Sequence, residues 1–176
     1  MGTPRGVLEF VGQLEDRIAD LVSRHDRVAL AYSGGLSSTL LAMVARKRCD
    51  LACSVAGTKS SEDVRAAKAA KAHLDYRVQF VQLDLEGTLR IRERIEASNG
   101  RLSSTAVRAL VPLRAVLEVM PNYSMLTGFG PQRIDEEIER ALQASGVQCP
   151  LLDLSRSRPL PRSILRAAAT LVGQTR

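Results

Sequence analysis

The sequence predicts an α/β fold: a doubly wound parallel sheet of about five strands, with helices on both faces. Two observations lead to this prediction. Short apolar runs alternate with longer segments whose apolar residues recur at helical spacing, and most of the short runs end at a glycine or another turn residue. In such sheets ligands bind outside the carboxyl ends of the strands, so we expect a functional site at that edge.

The first third of the chain alternates helical and strand patterns. Leucine, valine and isoleucine recur at helical spacing between residues 5 and 24, which predicts an amphipathic helix. The apolar run at 28–32 predicts a buried strand, and the periodic segment after Gly35 predicts a helix. A second apolar run at 51–56, which ends at Gly57, predicts the second strand.

The helix after the second strand is predicted from its acidic start and its alanine-rich body. Ser60 or Ser61 is placed to cap it, and Glu62 and Asp63 fall in the first turn, where negative charge is favourable. The helix is expected to extend to about His73.

The rest of the chain continues the alternation. Residues 77–83 alternate well enough for a third strand. Pro112 is expected to kink or tighten a helix without ending it, because apolar periodicity resumes at once. The remaining predicted elements are helices at 86–97 and 104–120, a strand at 123–127, a helix at 135–144, a strand at 147–152 and a helix from Pro161 to about Gly173.

Length and composition limit the class of protein. The 176 residues are the size of one domain, which we assign to residues 1–176. No apolar run reaches the roughly 20 residues that span a bilayer, and the N-terminus lacks a signal-peptide core, so we expect a cytoplasmic protein with no membrane partner. The formal charge of +6 favours anionic partners, such as nucleotides or RNA, without choosing between them.

The three cysteines carry no metal or disulfide pattern. Cys49, Cys53 and Cys149 are odd in number and form no CxxC pair, and only two histidines accompany them. Reduced structural thiols are therefore expected.

The most informative stretch is Ser33-Gly34-Gly35, which stands between the first strand and its helix. Adjacent glycines let the main chain approach an anion closely, and the start of a helix offers unpaired N–H groups in a positive field. Ser33, Ser37, Ser38 and Thr39 add hydroxyl groups. This pattern predicts a phosphate cradle, with an ordinary turn capped by a serine as the alternative.

The same residues resemble the SGGxDS signature of the PP-loop ATP pyrophosphatase superfamily, which is adenine nucleotide alpha hydrolase-like. Ser33, Gly34, Gly35 and Ser38 match the signature, and Ser37 stands where the family has aspartate. The resemblance implies a Rossmann-like architecture of that family. Residues 125–130, Met-Leu-Thr-Gly-Phe-Gly, further resemble a loop of asparagine synthetase-type synthetase domains.

The resemblance also implies which residues contact the nucleotide. The first loop would hold phosphate, the end of the second strand would face adenine with its main chain, and the glycine turn after the fourth strand would lie beside them. The residues so implicated are Ala31, Ser33, Gly34, Gly35, Leu36, Ser37, Ser38, Val55, Ala56, Gly57, Gly128, Phe129 and Gly130.

In that family ATP is split between its α- and β-phosphates to give an adenylated intermediate and pyrophosphate, with Mg2+ on the phosphates. The resemblance makes Ser37, at the aspartate position, and Arg162, near the phosphates, the catalytic candidates. A second family aspartate falls at Gln132, so Asp135 is the candidate metal ligand. Acids in the first turn of a helix are also common for structural reasons.

Three functions remain open from the sequence. The first is an ATP-binding PP-loop protein, acting as an AMP-forming ATP pyrophosphatase on an unknown small-molecule acceptor. The second is a non-catalytic nucleotide sensor or partner subunit, suggested by Ser37 and Gln132. The third is a tRNA-modifying adenylating enzyme with RNA as partner, suggested by the basic charge. A homodimer is expected from family habit alone.

Overall fold

The computed structural model describes residues 5–25, 27–71, 77–99, 102–127, 140–141, 147–148 and 162–174. The described helices and strands alternate along the chain. They are α1 (Arg5–Ser23), β1 (Val28–Ala31), α2 (Leu36–Ala45), β2 (Leu51–Gly57), α3 (Glu62–Lys71), β3 (Val78–Gln82), α4 (Leu85–Asn99), α5 (Ser104–Val119), β4 (Ser124–Thr127), β5 (Val147–Gln148) and α6 (Arg162–Gln174).

The strands form one parallel sheet in the order β3-β2-β1-β4-β5. Four strands have four to seven residues, and β5 adds a two-residue strand at one edge. This is the Rossmann-like order, in which the chain first moves outward from β1 to β3 and then returns to the other side of β1. The predicted fold class is confirmed.

The two faces of the sheet are filled differently. Toward one face, β1 and β2 direct Leu30 and Val55 into a core that they share with α1, α2, α3 and α6. Toward the other face these strands present mainly alanines, such as Ala29 and Ala56, beneath α4 and α5. Since alanine has a short side chain, α5 can lie directly on β2, with which it is in contact.

The outer layer on the first face is α1 and α6, each of which packs beside α2. Leu14 and Ile18 of α1 have no exposed surface, which explains why the helical pattern at 5–24 was so regular. On the last turns of α6, the carbonyl oxygen of Val172 accepts a hydrogen bond from Lys47 Nζ at 3.3 Å. The last helix is thus fastened to the end of α2.

Most of the predicted elements agree with the structure to within a few residues. α5 continues through Pro112, as expected. The predicted helix at 135–144 and strand at 147–152 fall largely outside the described residues, where only 140–141 are seen as helix and 147–148 as strand. Among the described helices, none is both long enough and apolar enough to cross a membrane.

The two described cysteines are free thiols, of which Cys53 is buried and Cys49 half-buried. Burial, with a smaller contribution from Cys49, raises the pKa of Cys53 to about 12. Burial, and then the charge of Asp50, raises the pKa of Cys49. Both thiols therefore stay neutral at neutral pH, as expected of structural cysteines. Cys149 lies outside the described residues.

Candidate functional site

The candidate site lies where the order of the strands reverses. β1 pairs with β2 on one side and with β4 on the other, and the chain reaches these two neighbours by crossovers on opposite faces of the sheet. The carboxyl end of β1 at such a reversal is the usual ligand position in sheets of this kind. Residues 32–35 form the turn at that end, between β1 and α2.

Gly34 gives this turn its shape. It has a φ of 71°, a conformation that other residues rarely adopt. A Cβ atom at Gly34 would overlap the backbone at Ala66 and Ala67 in α3. Glycine is thus required twice, once for the backbone angle and once so that the turn can press against the neighbouring helix.

The serines at the two ends of the turn bind each other. Ser38 is 3% exposed, and its hydroxyl donates to the carbonyl oxygen of Gly35 at 3.0 Å. Ser38 Oγ also lies 3.1 Å from Ser33 Oγ and accepts from the Ser33 N–H at 3.3 Å. Ser33 Oγ in turn accepts from the Gly35 N–H at 3.3 Å. The predicted phosphate donors Ser33 and Ser38 therefore hold the turn together.

This network leaves the start of α2 without a side-chain cap. The N-cap residue is Gly35, with φ −73° and ψ 165°, and no side chain accepts a hydrogen bond from the first turn. By contrast, Ser103 Oγ caps α5 by accepting from the Ala106 N–H at 3.1 Å. The start of α2 is therefore not capped by a serine, which was the alternative to the phosphate cradle.

The first N–H groups of α2 can therefore donate hydrogen bonds to a ligand. Within the described ranges no acceptor is found for the N–H groups of Leu36, Ser37 and Ser38, whereas the Thr39 N–H already donates to Gly35 O at 2.9 Å. Such amides, at the positive end of the helix dipole, form an anion site in physical terms. The Ser37 side chain is half-buried, and no hydrogen bond of its hydroxyl is found in the described part of the chain.

The base of the turn is rigid. Tyr32 is 1% exposed, its N–H donates to Ser54 O at 2.7 Å, and its hydroxyl lies 3.1 Å from Thr39 Oγ1. This last contact ties the end of β1 to the first turn of α2. The amides therefore have a fixed position relative to the sheet.

At the end of β2 the side chains are buried. Val55 and Ala56 are buried in opposite cores, so only their main chains can face a ligand at this edge. Gly57 O accepts a hydrogen bond from the Leu83 N–H at 3.0 Å. A Cβ at Gly57 would come too close to Ser61 Oγ, so the Ser61 side chain would have to move. The side chains of Ala31 and Leu36 are likewise partly buried in the two cores.

Several predicted site residues lie outside the described residues. These are Gly128, Phe129, Gly130, Gln132 and Asp135. Arg162 begins α6, but its side chain is also outside the description. Among the residues that the structure describes, no three His, Cys, Asp or Glu side chains lie together as a metal site. The donors that are described, main-chain amides and a hydroxyl, suit phosphate oxygens better than a metal ion.

One residue at this edge was missed from the sequence. Lys59 is exposed in the turn that follows β2, the strand next to β1. A lysine two residues after a parallel strand is the signal that would have found it, since all such turns meet at one edge.

Comparison with known proteins gives only distant likenesses. No family model matches the sequence, and no curated protein matches it. The structure is similar to that of a predicted subunit of a tRNA methyltransferase from Methanocaldococcus jannaschii, with a TM-score of 0.49 and 19% identity, over 82% of this chain and 74% of that one. It is also similar to NAD+ synthetase from Burkholderia pseudomallei, with a TM-score of 0.43 and 14% identity, over 98% of this chain and 88% of that one.

The first prediction concerns Gly34. Gly34→Ala should lower the free energy of unfolding by about 2–5 kcal/mol, because a left-handed alanine is strained and its Cβ meets backbone that cannot rotate away. The matched control is Gly12→Ala in α1, where an added Cβ meets nothing within 4 Å. That control should raise stability by about 0.5–1 kcal/mol, since alanine is the better helix former. Equal unfolding curves in urea for the two variants would contradict the described turn.

Proposed function

We propose that this chain binds an adenine nucleotide at the carboxyl edge of its sheet, with phosphate on the first turn of α2. The single observation that carries the proposal is the uncapped start of α2 at the strand-order reversal, with its amides free. The resemblance of residues 33–38 to the PP-loop signature supports the same assignment. We infer that the chain is a PP-loop protein. More specifically, we propose that it resembles asparagine synthetase-type synthetase domains.

The amides of Leu36, Ser37 and Ser38 would bind the phosphate oxygens. A charge-assisted hydrogen bond contributes about 1.5–3 kcal/mol, so two or three of them are enough for measurable binding. Lys59 supplies a positive charge at the same edge of the sheet. The Ser33–Ser38 network would keep the amides in place before the ligand arrives, which reduces the entropy lost on binding.

The adenine would lie against the end of β2. Since the side chains of Val55 and Ala56 point into the cores, contact with the base would come from main-chain atoms. This agrees with the role that the resemblance implies for Val55, Ala56 and Gly57. Gly128, Phe129 and Gly130 would border the other side of the nucleotide.

The finer proposal is an AMP-forming ATP pyrophosphatase, in which an acceptor oxygen attacks the α-phosphorus and pyrophosphate leaves on the α2 amides. Mg2+, when bound, would neutralise phosphate charge, with Asp135 as its candidate ligand. Among the residues of this chain, Arg162 is the candidate that would balance part of the negative charge of the phosphates. Ser37 would donate a hydrogen bond to phosphate where the family has an acid.

A second candidate is a non-catalytic nucleotide-binding subunit, and Ser37 is the observation that favours it. A hydroxyl can bind phosphate but contributes no negative charge to a metal site. Stabilisation by a metal is worth several kcal/mol in phosphoryl transfer, and each ~1.4 kcal/mol is tenfold in rate. Losing the acid would therefore reduce turnover much more than binding.

Removal of one amide tests the binding site directly. Leu36→Pro deletes the N–H at the first helical position, where proline is tolerated and where the extended Gly35 suits a following proline. Leu36→Ala is the matched control, because it loses the same leucine packing but keeps the N–H. In calorimetric titrations with ATP, AMP and pyrophosphate, the proline variant should bind pyrophosphate about 10-fold or more weakly than the alanine variant.

Two results of these titrations would contradict the proposal. If the folded protein binds none of the three ligands, with or without Mg2+, the assignment to an adenine nucleotide is wrong. If both Leu36 variants bind pyrophosphate alike, the anion lies elsewhere.

A third prediction separates catalysis from binding. Ser37→Asp restores an acid at the signature position, in the first turn of α2, where a carboxylate should stabilise the helix by about 0.3–1 kcal/mol. Without Mg2+ it should weaken pyrophosphate binding, since like charges repel; with Mg2+ the affinity should recover. Ser37→Asn, similar in size but neutral, is the control. If the unmodified protein releases pyrophosphate from ATP at a measurable rate, and this rate equals that of the Ser37→Asp variant, the non-catalytic alternative is excluded.

A further inference from the structure

A second region of interest lies on the edge strand β3, away from the first loop. Lys68 Nζ and Lys71 Nζ, both on α3, lie 5.8 Å and 5.7 Å from the centroid of the Phe80 ring. The lysines are exposed, and the ring is half-buried beside the α3 layer. The simplest explanation for these lysines is that α3 covers the edge strand β3 and carries solvated charges on its outer surface.

In the part of the chain that the structure describes, Lys68, Lys71 and Arg77 have no carboxylate within ion-pair distance, although Asp50 lines the same cavity as Lys71 and Arg77. Elsewhere on the surface basic residues do have carboxylate partners, as in Arg92–Glu96 at 2.8 Å and Arg94–Glu118 at 2.9 Å. Two ammonium groups over one aromatic ring repel each other, and an anion between them would relieve that repulsion.

A cavity adjoins these cations. It has a volume of about 630 Å³ and lies at the amino ends of β2 and β3, the opposite edge from the first loop. Its size is that of a pocket for a small organic group. Lys71 and Arg77 line it together with Gln79, Asp50, Tyr123 and Met120.

The walls of the cavity combine the features that recognise a base. Met120 and Tyr123 bring an apolar and an aromatic residue to the lining, and Gln79 and Asp50 bring residues that can form hydrogen bonds. Bases of single strands bind by stacking and by edge contacts, and their phosphates bind to lysine and arginine. The overall charge of +6 favours such a partner at long range.

We propose that this surface binds single-stranded nucleic acid, with phosphates on Lys68, Lys71 and Arg77 and one base in the adjoining cavity. The site does not depend on the nucleotide proposed at the opposite edge. Its occupant is a strand and not a duplex, because a paired base could not enter the cavity.

The test is fluorescence anisotropy with short labelled oligouridylate and oligothymidylate, in the absence of ATP. Lys68→Gln combined with Lys71→Gln removes two charges but keeps aliphatic stems over Phe80. At 0.1 M salt we expect binding to weaken about 10- to 30-fold, and the slope of log K against log salt to fall in magnitude by about 1.4. Restoring charge with Lys68→Arg and Lys71→Arg should recover affinity.

The matched control is Arg90→Gln combined with Arg108→Gln, which removes the same charge from exposed positions on α4 and α5. It should change affinity no more than about twofold, as expected for distant, screened charges. Equal weakening by the two double variants would overturn the proposal, because binding would then follow net charge alone.

A further variant tests the base. Gln79→Ala should weaken binding without changing the salt slope, since it removes a neutral contact. The main-chain Gln79 O that accepts from Ser54 Oγ at 3.4 Å stays in place. An unchanged affinity in Gln79→Ala together with equal binding of duplex RNA would overturn the base-binding part. Stronger binding of oligouridylate than of oligothymidylate would identify the strand as RNA, and the reverse as DNA.

Discussion

The close contact between Gly34 and the backbone of α3 is the constraint on which the candidate site depends. At a φ of 71° the chain turns sharply enough at the end of β1 to start α2 immediately. The contact with Ala66 and Ala67 leaves no space for a side chain on that side. Ser33 and Ser38 then close the turn from within, so that the hydroxyl groups are used and the amides of α2 are left.

The strand order gives this local arrangement its significance. The turn is at the centre of the sheet, between β2 and β4, where the reversal of the chain marks the usual ligand position. The alanines of β1 and β2 allow α5 to lie close to the second face, while larger residues fill the first. The two edges of the sheet differ chemically. Free amides are found at the carboxyl edge, and an excess of lysine and arginine lies toward the amino edge.

Much of the fold was predictable because its signals are local. Apolar runs such as 28–32 and 51–56 identify buried strands, and the spacing within α1 identifies a helix. The sharp turn between β1 and α2 was predictable too, because adjacent glycines after an apolar run indicate a change of chain direction. What the sequence did not reveal depends on contacts between distant segments. Gly34 touches a helix beyond the next strand, and Ser38 is turned inward to Ser33.

Contacts between distant segments also determine what the end of β2 presents. Parallel strands bury both faces, so the side chains of Val55 and Ala56 belong to the cores and only their main chains could face the nucleotide expected there. The pairing of Phe80 with two lysines became visible only when the elements were assembled.

The most direct test of the account is a titration of the 15N-labelled protein with pyrophosphate, followed by the amide resonances. If the start of α2 is the anion site, the amides of Leu36, Ser37 and Ser38 should show the largest shifts, and they should saturate together. Saturable shifts centred on Lys68, Lys71 and Arg77, with these three amides unmoved, would contradict it.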